Sequence, residues 1–488
     1  MKTKYLFFLL AVAASLMISC QKDEDELFVQ YMPRGEKVVV ISDIHLNDDR
    51  AYQQGYAWIS SNGKAELVSF LDSIAGDASV GTLVVNGDVF DEWCSPMDVD
   101  PFVDLSGRKT NSESEYFKVL VRDNQTVVDA FRRLKDAGVK LVYVPGNHDM
   151  LVSSSDIESV LNGLFEQARD ADGLGSYTPE GMDEVVIEHG HRYDYSNAPE
   201  LLSPTGTMCP IGFPITKYIC SVDLDSRRRG QDYASESGFS LLSLIDTENE
   251  YNRYVWDSIM NVRGLNDSLG HATLVDFGNY YSSVIVHVIE YLAGTFSGEG
   301  DLFNYWCFQT VWGMILMNSH YPDDYSNIEA LLSTIKMTYG EYVFLKFIPL
   351  KENFTTPYDG VWSQSHWEER CRTNRVSEKL PFIQSVLAGA LDNSIEDIVA
   401  TQYFNNQQSN KRIVVLGHTH NAKLECKTNN NGQSCIYANS GTWIDPFFAG
   451  KNNPTHSFVE IERSDSQYII RLKQFHNSKT LKTQILDL

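Results

Sequence analysis

Five short stretches of this chain gather histidine, aspartate or asparagine. They are "SDIHL" with Asp43 and His45, "GDVFDEW" with Asp88 and Asp91, "GNHD" with Asn147, His148 and Asp149, "HGHRYD" with His189 and His191, and "GHTH" with His418 and His420. Imidazole, carboxylate and amide oxygen together suit Mn, Fe or Zn better than Mg or Ca. With no thiolate in the set, a structural zinc knot is excluded. A lone D-x-H, or one histidine after a strand, is ordinarily a capped loop residue. Five such clusters are different, because packing alone would not offset the desolvation of so many polar groups gathered together. Two cations about 4 Å apart, joined by one carboxylate, can clamp a phosphoryl group and generate hydroxide near neutral pH.

Each cluster closes an apolar run: residues 37–46, 81–93, 139–150, 183–194 and 411–423. The runs are short and rich in Val, Ile and Leu, the pattern of a strand buried on both faces. Between the first three, "AELVSFLDSIAG" (65–76) and "VVDAFRRLKDAG" (127–138) place apolar residues at helical spacing and end on glycine. Strand alternating with helix predicts an α/β fold with parallel strands, whose carboxyl ends gather ligands along one sheet edge. Gly87, Gly146 and Gly417 precede candidate ligands and Gly190 follows one, where the chain must turn off a strand and allow close backbone approach.

The five motifs, in this order, resemble those of the calcineurin-like metallophosphoesterases, over roughly residues 36–195 and 411–446. "GDVFDEW", with "YANSGTWID" (437–445), looks closest to the UDP-2,3-diacylglucosamine pyrophosphatase branch. The resemblance implies a four-layer αββα sandwich of two mixed sheets flanked by helices; the apolar and amphipathic runs within 196–410 add a large, mostly helical insertion. It also implies two divalent ions (Mn, Fe or Zn). Asp43, His45, Asp88 and His420 would hold the first; Asp88, Asn147, His189 and His418 would hold the second, with Asp88 bridging. His148 would meet the phosphate, Asp149 would orient His148, and Asp91 would support the ligands. His191 and Arg192 are expected beside the ligands or against substrate. The expected reaction is hydrolysis of a phosphomonoester, phosphodiester or pyrophosphate bond by a metal-activated hydroxide. Its substrate would be a phosphorylated small molecule, glycan or lipid. A different class stays open: a catalytically silent metal-binding surface lipoprotein whose insertion binds a partner or glycan.

The 488 residues divide further. Lys2 and Lys4, an apolar run and Ser19-Cys20 read as a lipoprotein signal peptide over 1–19, with lipidation at Cys20 as the membrane anchor. An acidic tether (20–35) follows. The first part of the phosphoesterase unit spans 36–195, a helical insertion 196–410, and the second part 411–488. Location outside the cytoplasm, lipid-anchored at the outer membrane or cell surface, is the expectation. It counts against the nucleotide-sugar lipid of the resembling branch, which is made and used inside the cell. Runs at 276–296, 302–318, 328–337 and 380–391 read as helices of a cap that selects the leaving group. Arg227, Arg228 and Arg229 are solvated charges or a phosphate contact on that cap. A formal charge of -25 repels polymeric nucleic acid, so none is expected as a partner. Eight cysteines in an exported chain permit disulfides. Cys426–Cys435 is the favoured pair and Cys209–Cys220 a weaker one.

Overall fold

The computed structural model describes residues 34–54, 57–93, 112–201, 364–381, 392–449, 453–476 and 479–488, together with 208, 210, 212, 384, 385 and 388. The leader, Cys20 and nearly all of the tether, the Cys209–Cys220 pair, Arg227–Arg229, the helical runs between 276 and 337 and most of 380–391 lie outside the described residues.

The five apolar runs all form strands. Three of them, β1 (Lys37–Ile41), β2 (Val80–Asn86) and β3 (Lys140–Val144), pair in parallel, and β4 (Glu166–Gln167) extends the same edge. On the other side of β1, the antiparallel strands β10 (Ser457–Arg463), β11 (Gln467–Gln474) and β12 (Lys479–Asp487) complete a seven-stranded mixed sheet. The second sheet has the order β5-β6-β7-β9-β8. Here β5 is Ser176–Tyr177, β6 Val185–Glu188, β7 Ile413–Leu416, β8 Lys423–Thr428 and β9 Ser434–Asn439. The other two ligand-bearing runs, β6 and β7, pair in parallel at its centre.

Alternation decides which side chains meet. Val38, Val40, Val84, Val142 and Val144 of the first sheet face Val185, Ile187, Ile413, Val415, Ile436 and Ala438 of the second in one core. The intervening Val39, Ile41, Leu83 and Val85 are buried as well, so both faces of the central strands are covered. Each such side chain contributes about 1.5–3 kcal/mol on burial, which is ample reason for the two sheets to close on each other. The helix Ser61–Gly76 starts at Ser60, whose side chain accepts from Gly63 N, and buries Leu67, Phe70, Leu71 and Ile74 at helical spacing. It packs against the helix Gln125–Asp136, which in turn contacts β3. On the second sheet, Glu396 of the helix Asp392–Val399 pairs with Lys423 and Lys427 of β8. Tyr403, just beyond, donates to Glu188 at the end of β6 (2.8 Å). The layers are helix, sheet, sheet, helix. Among the described residues no helix is long and apolar enough to cross a membrane.

The favoured disulfide is absent: Cys426 and Cys435 are both free thiols. Cys426 pairs across the ladder with Ile436, and Cys435 with Lys427. A one-residue offset puts the two sulfurs on opposite faces of the hairpin, where they cannot be bridged.

Candidate metal centre

All five clusters lie at the carboxyl ends of β1, β2, β3, β6 and β7, and the sandwich brings these ends together. The candidate ligands themselves bend the chain there. Asp43, His45, Asp88, His418 and His420 all have left-handed backbone, with φ between 53° and 68°. That conformation costs a non-glycine residue about 1–2 kcal/mol, and surroundings that over-determine it are typical of functional sites. Backbone pairing supplies part of the compensation: Asp43 N donates to Gly87 O, and Ile44 N and His45 N both reach Asp88 O. Two glycines serve close approach. A Cβ at Gly146 would collide with the Asp88 carboxylate, and one at Gly417 would meet Ser42 and Asp43 at 2.6–2.7 Å.

Two groups of candidate donors share Asp88: Asp43, His45, Asp88 and His420 form one, and Asp88, His189 and His418 form the other, with Asn147 between the two histidines; a third group, His45, Asp91 and His148, lies beside them. Within each group the ligand atoms lie within 4.8 Å of one another. Asp88 Oδ2 belongs to both, 3.8 Å from His45 Nε2 and 3.2 Å from His189 Nε2. His420 Nε2 is 3.2 Å from Asp43 Oδ1 and 3.0 Å from His45 Nε2.

The hydrogen bonds fix which nitrogens carry protons. His45 Nδ1 faces Asp91 Oδ2 (3.1 Å), His189 Nδ1 faces the Asn86 carbonyl (2.8 Å), and His418 Nε2 faces Asp194 Oδ2 (3.1 Å). Ionised carboxylates and carbonyls only accept, so each of these nitrogens is the N–H. The opposite nitrogen of each neutral ring then presents a lone pair to further acceptors. His189 Nε2 meets Asp88 Oδ2 and Asn147 Oδ1 (both 3.2 Å), and His418 Nδ1 meets Asn147 Oδ1 (3.0 Å). With neutral rings these lone pairs would converge on lone pairs in a buried site, which positive charge between them, a proton or a cation, relieves; the donor set fits divalent cations.

The titration of the bare site says the same. Burial opposes a charged His189, yet Asp88 and Asp43 outweigh it and raise its pKa to about 10. Burial would likewise raise Asp43 and Asp88, but the neighbouring imidazoles hold both below the ordinary carboxylate range. A proton on His189 thus supplies charge that a bound cation would displace. His45 is driven down to about 4 by burial, despite Asp91.

Around the donors the expected roles are redistributed. Asp149 does not orient His148. Its carboxylate accepts from Val89 N (2.9 Å) and Gly146 N (2.6 Å), pinning the turns that carry Asp88 and Asn147. Burial and the Asp88 charge raise its pKa to about 6. The carboxylate against His148 is Asp91, whose Oδ1 lies 3.0 Å from His148 Nδ1 while Oδ2 holds His45. Burial disfavours a charged His148, but Asp91 and Asp88 prevail and raise its pKa. Trp58 and Trp93 flank its ring, with centroids 5.5 and 4.8 Å away. His191 is buried beside His189 and bonds the Gly173 carbonyl through Nε2 (2.9 Å). Burial, then the His189 and His418 charges, depress its pKa strongly. Arg192 turns to Glu188 (2.9 Å) and Asp170 (2.7 Å) in a buried ion pair.

Sequence reasoning gave no role to Asp194, Asn197, Trp58 or Trp93. Asp194 closes the quoted stretch "HGHRYD" and Asn197 follows three residues on. Two turn-forming polar residues so soon after a ligand-bearing strand were the available signal. Nothing in their spacing marks the indoles as neighbours of His148.

A family model described as calcineurin-like phosphoesterase matches residues 36–286, just over half of the chain. The match includes four of the five clusters and stops short of β7, so His418 and His420 join them by geometry. Among solved structures, a dimetal phosphatase from Danio rerio is similar at 10% identity, covering 92% of this chain and 98% of that one, with a TM-score of 0.32. A likeness that slight bears on neither fold nor function. No curated protein matches the chain significantly.

Proposed function

The chain belongs to the calcineurin-like phosphoesterase family, and on that premise we propose that it hydrolyses a phosphomonoester, phosphodiester or pyrophosphate bond at a two-metal centre. As a member of that family it is a hydrolase of phosphate esters. The observation that carries the two-metal reading is the position of Asp88. It is the one carboxylate common to both donor groups, with Oδ2 3.8 Å from His45 Nε2 and 3.2 Å from His189 Nε2. Asp43, His45, Asp88 and His420 would hold one ion; Asp88, Asn147, His189 and His418 would hold the other. Two divalent ions, when bound, supply charge neutralisation for a phosphoryl group and lower the pKa of water.

The remaining steps fall to the chain itself. Asp91 accepts from His148 Nδ1 and keeps that ring protonated and oriented. His148 would hand its proton to the leaving oxygen, as general acid. Trp58 and Trp93 hold the ring in place and keep water from its faces. The substrate class we favour is a phosphorylated small molecule, glycan or lipid met outside the cytoplasm. Support for export and anchoring is the lipoprotein-like start of the sequence. The insertion would act as a cap over the site, since its returning helices pack against residues 188–200.

The test is hydrolysis of p-nitrophenyl phosphate, its bis ester and pyrophosphate by manganese-reconstituted protein. Turnover by the wild type that is lost in Asp88→Asn supports the reading. A folded, metal-loaded wild type inert towards all three would leave the silent surface module in its place.

A further inference from the structure

We propose that Asp194 is the positioning residue of the second metal half-site, setting by itself the proton location on His418 and the amide orientation of Asn147. This rests on the two-metal reading above. Asp194 lies outside both donor groups and is fully buried. Its Oδ2 faces His418 Nε2 at 3.1 Å and accepts from Asn197 Nδ2 at 2.5 Å, while Oδ1 accepts from Ser196 N at 2.9 Å.

The consequences run through two short chains of contacts. A carboxylate only accepts, so His418 must carry its hydrogen on Nε2, leaving Nδ1 bare towards the second donor group. By the same rule Asn197 must turn its NH2 to Asp194 and its oxygen away. That oxygen lies 3.3 Å from Asn147 Nδ2 and accepts from it. Asn147 is thereby prevented from flipping: its own oxygen is held 3.2 Å from His189 Nε2 and 3.0 Å from His418 Nδ1. Were Asn197 or Asn147 reversed, an NH2 would stand where a cation ligand is needed. One carboxylate, on a segment no ligand occupies, therefore specifies the polarity of two of the four second-site ligands.

The segment is itself clamped. Arg370 is buried on the returning helix Gln364–Thr373, bonds the carbonyls of Ala198 and Pro199, and lies 3.5 Å from Glu200. Asn374 Nδ2 donates to Pro199 O at 2.8 Å. Asn197 N and Ala198 N donate to Asp194 O, which ties Asp194 to this clamped stretch.

The experiment is calorimetric titration of manganese into metal-free wild type, Asp194→Ala, Asp194→Asn and Asn197→Ala, with circular dichroism to establish folding. Removing groups that orient metal ligands typically weakens binding 10–100-fold. We expect Asp194→Ala to weaken one manganese site by that factor and leave the other within about twofold. Asp194→Asn keeps one acceptor oxygen and should recover part of the loss. Asn197→Ala should weaken the same site to a lesser degree, and serves if Asp194→Ala does not fold. Two sites in the wild type with both affinities unchanged in Asp194→Ala or Asn197→Ala would overturn the assignment while leaving the proposed function intact. So would equal weakening of both sites without rescue by asparagine, the signature of a merely structural residue. A wild type that takes up no ion pair would sink the two-metal reading first, and this inference with it.

Discussion

The two halves of the centre are governed alike but assembled differently. In each, a buried carboxylate outside the two groups that share Asp88 orients two neighbours: Asp91 takes His45 and His148, and Asp194 takes His418 and Asn197. The Asp91 half takes Asp43, His45 and Asp88 from β1 and β2, parallel neighbours whose loops zip together directly, as Leu46 N does to Val89 O and Asp91 N to Leu46 O, and only His420 from beyond β7. The Asp194 half takes Asp88 and Asn147 from β2 and β3 but joins them to β6 and β7, which are parallel neighbours in space and more than two hundred residues apart in sequence. Arg370 and Asn374, from the stretch between those strands, bond the Pro199 carbonyl. Local topology supplies most of one half; the other depends more heavily on long-range closure. Contacts that span such separations carry the larger closure entropy and form late unless other packing holds the ends.

The largest expected effect should remove the comparison altogether. Asp88→Asn deprives both halves of their common carboxylate, and activity should fall roughly a thousandfold or more, since metal stabilisation is worth several kcal/mol. Metal content should fall with it, as elemental analysis would read. Next, His148→Ala touches the Asp91 half alone. It should keep its metal content while kcat drops about 10²–10⁴-fold, the range of a lost general acid. Loss of metal instead would make His148 a ligand.

Asp91→Ala and Asp194→Ala sharpen the contrast. The first should weaken the site built on His45 and also slow turnover through His148, whereas the second should act through metal affinity, each by about 10–100-fold. Smaller still is the return of the insertion onto β8. Burial would raise the Glu396 carboxyl, but Lys423 and Lys427 outweigh it and hold it below the usual range. A lowered folded pKa means stability that is present above the unfolded value and lost as pH falls. Glu396→Gln should therefore destabilise the fold at pH 7 by less than about 1 kcal/mol, read as a slightly lower thermal midpoint. The gap should close below about pH 4, near and under the free glutamate pKa. Smallest, native thiol labelling should modify exposed Cys426 and spare buried Cys371 and Cys435. Burial pushes Cys371 up to about 12 and raises Cys435 too, so neither offers a thiolate.

Much of the frame was legible because it is written in local periodicity. The five strands and the helices Ser61–Gly76 and Gln125–Asp136 follow from apolar spacing and caps, and the candidate ligands follow each strand at once. What escaped depends on contacts across the chain. Asp91 stands three residues after Asp88 and Asp149 two after Asn147, and only the meeting of loops decides that Asp91 reaches His148 while Asp149 caps two backbone amides. The hairpin between Cys426 and Cys435 was correctly read, but its register, which moves a side chain to the other face with one residue of slip, was not. Left-handed backbone at Asp43, His45 and His420 has only a weak signature in residue type: aspartate and histidine are enriched in it, yet most of them do not adopt it.

The most direct test is metal counting. Metal-free protein reconstituted with manganese, freed of excess and measured by elemental analysis, should hold about two ions per chain, falling below one in Asp88→Asn. A well-folded wild type that retains none, or one that Asp88→Asn leaves unchanged, would contradict the shared-carboxylate centre.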